Sequence, residues 1–334
     1  MGTAKKCVMV TATKEMPVDM DVVARELGAD IELEVVPLAF GDMSFSARER
    51  CWRSIAQADG LLVRTGFIPY ELIAQCAKLR VIGLHGAGVD QVDVKAATEG
   101  GVFVTNAPGG NAQSVAELTL GLIISFLRGI PRADGLIRQG QWEQARMVGM
   151  ELKGKRLGIV GYGNIGKSLA RMAVALNMEV VFWHRTPQAG TWTEVKQVGL
   201  EQLFSTSDIV SLHLPLVPET MGLVGRRLLS RMRKHALFVN TARGALVVQD
   251  DLLQALEEGW FAGAALDVFE QEPLPINSPF TRLPNVVLTP HMGGSTAECL
   301  ARVAGVVARD IGLVLAGGVP QYAVNTPWSA IVNP

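Results

Sequence analysis

Three charged residues in the sequence each follow a short apolar run: Arg243 in NTARG after ALFVN, Glu272 in FEQEP after GAALDV, and His291 in TPH after NVVL. In an open α/β sheet, ligands bind beyond the carboxyl ends of the strands, so polar residues just past apolar runs are where chemistry is sought first. A guanidinium, a carboxylate and an imidazole together supply what reduction of a 2-oxoacid requires. The arginine fork grips a carboxylate or polarises a carbonyl. The imidazole gives a proton to the carbonyl oxygen as hydride reaches carbon, and takes it back in the other direction. A neighbouring carboxylate favours the charged imidazole. Nothing in this scheme calls for a metal. Each residue alone has a structural alternative (a helix cap, a loop charge, a half-buried histidine), and it is their recurrence at three successive strand ends that favours chemistry.

A second constellation precedes them. GYGNIG places Gly161, Gly163 and Gly166 directly after the apolar run RLGIV and at the start of the helical pattern KSLARMAVALN. In that context the first glycine permits a tight turn, the second lets backbone approach a pyrophosphate, and the third allows close helix–strand packing. A dinucleotide site is expected. About twenty residues on, where such sites present a carboxylate to the adenine ribose, the chain instead reads VVFWHRT, with His184, Arg185 and Thr186. Loss of that acid removes the charge that repels a 2′-phosphate, so the reading favours NADP over NAD.

These residues need a frame, and the apolar pattern supplies one. Short Val/Ile/Leu runs alternate with helical stretches, the pattern of parallel strands buried on both faces in an α/β fold. Strands are expected at 7–12, 31–36, 60–64, 80–84 and 102–106, and a second series at 156–160, 179–183, 208–212, 236–240, 263–268 and 285–289. A helix is expected over 111–126, a second one beyond a kink near Pro131, and a closing helix over 296–314. The chain of 334 residues suits two domains. The expected division is residues 1–105 with 296–334 as a substrate-binding domain, and 106–295 as an NAD(P)-binding Rossmann domain inserted in a flavodoxin-like partner.

Bulk properties exclude several classes. With 31 basic and 32 acidic residues and a formal net charge of -1, there is no electrostatic footprint for nucleic acid or an anionic membrane. The four cysteines form no CxxC pair, so neither a zinc site nor a disulfide framework is suggested, and a cytoplasmic location is expected. The most apolar stretch, LTLGLIISFL at 118–127, is well short of a bilayer span.

In order and spacing, GLHGAGVDQVD, NAPGGNAQSVAEL, GYGNIG, HLPLVPET, NTARG, GAALDVFEQEPLP and LTPHMGG resemble the D-isomer-specific 2-hydroxyacid dehydrogenases along nearly the whole chain. The resemblance implies two Rossmann-like lobes and a homodimer formed through the cofactor lobe. It implies that Arg243 binds substrate, that His291 is the acid/base and that Glu272 is its partner. Ala87 and Gly88 match the loop whose backbone N–H groups hold the substrate carboxylate, and Arg64 ends a neighbouring strand on the substrate side. For the cofactor it implies Asn164, Ile165, His213, Thr241, Ala242 and Gly293 beside the glycines, Asp267 near the nicotinamide, and Pro215 and Thr220 toward the adenine and pyrophosphate. Trp142 falls in a loop that some family dimers send toward the neighbour.

Substrate is narrowed by departures from the pattern. Leu84 stands where phosphoglycerate dehydrogenases have an arginine, Ala87 where phosphite-oxidising relatives have a lysine, and Glu272 where formate-oxidising ones have glutamine. Glyoxylate, hydroxypyruvate or a similar small 2-oxoacid is the leading expectation. The alternatives are D-3-phosphoglycerate and a non-catalytic dinucleotide sensor of the same fold.

Overall fold

A computed structural model describes residues 5–41, 43–144, 147–188 and 192–327. The chain separates into two compact units, residues 1–111 with 294–334, and residues 112–293.

The first unit carries a five-stranded parallel sheet. Its strands are β1 (Lys6–Thr11), β2 (Ile31–Val36), β3 (Gly60–Val63), β4 (Val81–Leu84) and β5 (Phe103–Thr105), in the order β2-β1-β3-β4-β5. This is the flavodoxin-like order. The strands β3 and β4 are buried at every position because helices cover both faces, which is why their sequences are unbroken apolar runs rather than alternating ones. One face packs under the helix Ala297–Leu315, whose Val303, Val307 and Ile311 meet Val8, Val10, Leu62 and Val81. The other face is filled by Ile55, Leu61, Leu72 and Ile82.

The second unit holds a seven-stranded parallel sheet: β6 (Arg156–Val160), β7 (Glu179–Trp183), β8 (Val195–Gln197), β9 (Ile209–Leu212), β10 (Leu237–Asn240), β11 (Gly263–Leu266) and β12 (Val286–Leu288), ordered β12-β11-β10-β9-β6-β7-β8. The strand order reverses between β6 and β9, the switch point where doubly wound sheets bind ligands. On one face the helices Ala112–Leu127 and Asn164–Ala175 bury Leu157, Ile159, Phe182 and Val239. On the other, Phe204, Phe238 and Phe261 form the core. Phe182 is fully buried, so Phe182→Ala would cost about 3–5 kcal/mol through lost transfer energy and the cavity left behind.

Two details differ from the sequence expectation. A seventh strand, β8, extends the sheet beyond the six anticipated; its three residues Val-Lys-Gln are mostly exposed and too few to carry an apolar period. The strand β11 stops at Leu266, leaving Asp267 just past the sheet's edge rather than inside the strand. The expected kink is present: Gly129 adopts a left-handed φ of 61°, and Pro131 sits in the first turn of the helix Ile130–Arg138. No single helix among the described residues is long and apolar enough to cross a membrane.

Candidate active site

The glycine loop follows β6 directly. Gly161 has φ +103°, and a Cβ there would lie 2.4 Å from the carbonyl oxygen of His213, so both backbone shape and space demand glycine. Gly163 caps the helix Asn164–Ala175 with no side-chain hydrogen bond, and a Cβ added there would meet nothing within 4 Å. The first-turn N–H groups of Asn164, Ile165 and Gly166 therefore face a space that a side chain does not close, which fits the pyrophosphate of a dinucleotide. Beyond β7, His184 is half-buried while Arg185 and Thr186 are exposed.

His213, just past β9, is buried, with Nε2 2.9 Å from Ser211 Oγ. Burial pushes its pKa down to about 3, so its ring is neutral at physiological pH and does not serve as a cation for phosphate. Thr220 braces its own loop: its hydroxyl donates to Pro215 O at 2.7 Å and accepts from Val217 N at 2.9 Å.

The strand ends β10, β11 and β12 carry the three charged residues, and hydrogen bonds join two of them. His291 Nδ1 lies 2.6 Å from Glu272 Oε2, while Glu272 Oε1 accepts the backbone N–H of Phe269 at 3.0 Å. Burial alone would raise the Glu272 pKa. The hydrogen bond and charge of His291, the Phe269 N–H and the nearby Arg243 outweigh it, holding the carboxyl below its ordinary value and ionised at neutral pH. With an ionised acceptor, His291 donates through Nδ1–H, and Nε2 is the nitrogen left to exchange protons with a ligand.

Arg243 is set by the residues around it. Asn240, the last residue of β10, accepts the Ala242 N–H at 3.0 Å and donates to Arg243 O at 2.9 Å. Thr241 is anchored to Thr119 through their hydroxyls, 2.9 Å apart. Gly244 follows because a Cβ at that position would lie 2.0 Å from the Phe269 backbone carbon, so only glycine lets the arginine loop pack against the loop that carries Glu272.

Asp267 is fully buried and ties β11 to the turn after β12. Its Oδ1 accepts from Thr289 Oγ1 at 2.6 Å and Met292 N at 2.9 Å, its Oδ2 accepts from Gly293 N at 2.9 Å, and its carbonyl accepts from His291 N at 2.8 Å. That clasp surrounds a strained residue: His291 has φ 50°, a left-handed conformation that costs a non-glycine residue on the order of 1–3 kcal/mol. The strain persists because four hydrogen bonds to Asp267 over-determine the turn. This anchoring by Asp267 and Thr289 was not legible in the sequence; a hydroxyl residue directly before Pro-His at a strand end was the available hint.

In the first unit, Arg64 follows β3 and His85 follows β4. His85 is buried with neither ring nitrogen hydrogen-bonded, and Arg64 Nε and Thr65 Oγ1 are likewise buried without a partner. Burial, reinforced by the charge of Arg64, pushes the His85 pKa down to about 4. The Ala87–Gly88 turn is fixed by Asn106, which donates to Ala87 O at 2.6 Å.

Comparison with known proteins places this geometry. Residues 120–293 match the D-isomer specific 2-hydroxyacid dehydrogenase NAD-binding domain. A glyoxylate reductase of Thermofilum pendens is 41% identical over 287 residues, covering 84% of this chain and 85% of that protein. A D-3-phosphoglycerate dehydrogenase of Methanocaldococcus jannaschii is 40% identical over 284 residues, covering 84% of this chain but 54% of that longer protein. The solved NADPH-dependent glyoxylate/hydroxypyruvate reductase of Sinorhizobium meliloti, in complex with NADP and malonate, superposes with a TM-score of 0.81 at 26% identity over 96% of this chain and 97% of its own. With a glycine loop fit for a nicotinamide dinucleotide and an Arg, Glu, His set on adjoining strand ends, the chain belongs to the D-isomer-specific 2-hydroxyacid dehydrogenase family.

Proposed function

We propose that this protein reduces a small 2-oxoacid, glyoxylate or hydroxypyruvate in the first instance, to its D-2-hydroxyacid with NADPH. The observation that carries the reading is the 2.6 Å His291–Glu272 pair with Arg243 beside it, on the sheet that also bears the glycine loop. Bound nicotinamide supplies the hydride that reaches the carbonyl carbon. His291 delivers the matching proton from Nε2 to the carbonyl oxygen, and Glu272 holds the imidazole in the tautomer and orientation that allow it. Arg243 polarises the carbonyl and binds the carboxylate through its fork. In this reading the backbone of Ala87 and Gly88, with Arg64, holds the substrate carboxylate. Asn164, Ile165, His213, Pro215, Thr220, Thr241, Ala242 and Gly293 line the cofactor, and Asp267 serves the nicotinamide end by fixing the His291 turn.

The choice of NADP rests on the strand end of β7. No carboxylate stands at His184, and the exposed Arg185 and Thr186 offer a guanidinium and a hydroxyl to a 2′-phosphate. A D-3-phosphoglycerate substrate is the second reading, favoured by the half-buried Arg64 beside His85 and opposed by Leu84. A homodimer formed through the second unit belongs to this reading, in which Trp142, 80% exposed, is the residue offered to the neighbour. A cytoplasmic location is supported by four free cysteines.

The test is the nicotinamide absorbance band, followed with NADPH and with NADH across a panel of 2-oxoacids and in reverse with 3-phosphoglycerate. Consumption of NADPH with glyoxylate or hydroxypyruvate is expected. Turnover with none of the panel would favour the dinucleotide sensor.

A further inference from the structure

We propose that Gln197, on the strand absent from the sequence expectation, is a positioning residue for cofactor choice. It holds the turn from His184 to Gln188 in the shape that presents Arg185 and Thr186 to the 2′-phosphate of NADPH. The inference rests on the NADP reading above and deepens it.

The strand β8 pairs with β7 so that Gln197 lies opposite Phe182, two residues before the turn begins. From there a single side chain serves three backbone groups of the turn. Its Nε2 donates to His184 O at 3.0 Å and to Thr186 O at 3.3 Å, and its Oε1 accepts the Gln188 N–H at 3.0 Å. A primary amide has two N–H donors and one carbonyl acceptor, so this pattern uses both ends and fixes which way the amide points.

The turn is also knotted from within. His184 Nδ1 accepts from the Thr186 N–H at 3.3 Å and from Gln188 Nε2 at 3.0 Å. Gln188 Nε2 also reaches Thr186 Oγ1 at 3.4 Å.

Phosphate chemistry explains why this matters. Carbonyl oxygens carry partial negative charge and oppose a phosphate, while a guanidinium and a hydroxyl attract it. By engaging the carbonyls of residues 184 and 186, Gln197 leaves the exposed Arg185 guanidinium as the group a phosphate meets, with the Thr186 hydroxyl beside it held 3.3 Å from His184 Nδ1. NADH carries only a hydroxyl at that position and gains little from the arrangement. Gln197 is exposed and ends a three-residue edge strand whose core contact is made by Val195, so its substitution should leave the fold intact.

The experiment measures NADPH and NADH dissociation constants by fluorescence titration of the full chain, in wild type and in Gln197→Ala, Gln197→Met, Gln197→Glu and Arg185→Ala, with thermal unfolding as a check on folding. Gln197→Met keeps the chain length without hydrogen bonds. Gln197→Glu replaces the donors by acceptors and adds a charge. Gln197→Ala and Gln197→Met should raise the NADPH Kd about tenfold and the NADH Kd less than about twofold, with a larger loss for Gln197→Glu. Equal loss for both cofactors, or an unchanged NADPH Kd in all three variants, would overturn the role of Gln197. If Arg185→Ala weakens NADPH alone while the Gln197 variants do not, only that role falls. If wild type binds NADH more tightly and Arg185→Ala weakens both alike, the NADP reading itself fails and this inference falls with it.

Discussion

Polar residues at the carboxyl ends of β11 and β12 are held differently from those at the ends of β3 and β4. At the ends of β11 and β12, Glu272 and Asp267 have both oxygens engaged, and His291 is held through its side chain and its backbone. At the ends of β3 and β4, Arg64 Nε, Thr65 Oγ1 and both ring nitrogens of His85 are buried without a hydrogen-bond partner. Buried polar atoms are ordinarily bonded, so the second pattern asks for an explanation. A group that must move a proton at a fixed place gains from a rigid shell; a group that grips a ligand must keep bonding capacity in reserve. Polar groups are fully engaged at the one pair of strand ends, and buried bonding capacity is left unused at the other.

Substitutions can break that contrast, and the largest effect belongs to the rigid end. His291→Ala should lower turnover with a 2-oxoacid by about 10²–10⁴-fold while cofactor affinity, read by fluorescence titration, stays unchanged. A variant near wild-type rate would remove His291 from proton transfer. Arg243→Ala should cost kcat/KM about 10–100-fold in steady-state kinetics, and Arg243→Lys should restore little, because the fork and not the charge alone is used. Full rescue by lysine would contradict that.

Smaller effects sharpen the comparison. Asp267→Asn sets its one amide nitrogen against either the Met292 or the Gly293 N–H, which donate to different carboxylate oxygens, and should destabilise the protein by about 1–3 kcal/mol in denaturant unfolding. An unchanged midpoint would mean that the clasp does not hold the turn. Arg64→Leu should raise the KM for the 2-oxoacid about tenfold with turnover at saturation little altered. The smallest effect is in acid. Because the Glu272 carboxyl is held below its ordinary 4.5, its contribution to stability is present above that value and lost as pH falls through the lower folded value. The stability gap between wild type and Glu272→Gln should therefore close on acidification below about 4.5, and a gap that persisted would point to packing instead.

The parts legible in the sequence were those written locally. Apolar runs marked eleven strands because buried parallel strands have no polar face, and GYGNIG was readable because turn, strand and helix adjoin it. Arg243, Glu272 and His291 stood out because a charge after an apolar run is a local signal. What escaped was made by distant partners. The strand β8 owes its existence to pairing with β7, Gln197 reaches back to His184, and Asp267 meets Thr289 and Gly293 more than twenty residues on. Nor does any local pattern foretell the left-handed backbone of His291, which an ordinary histidine avoids unless its surroundings impose it.

The proposal that His291 moves the proton while Arg64 binds substrate is tested most directly by single-turnover NADPH oxidation with saturating glyoxylate in His291→Ala and Arg64→Leu side by side. The account predicts a slow burst in His291→Ala and a near-normal one in Arg64→Leu once substrate is saturating. A normal burst in His291→Ala, or an equally slow one in both, would contradict it.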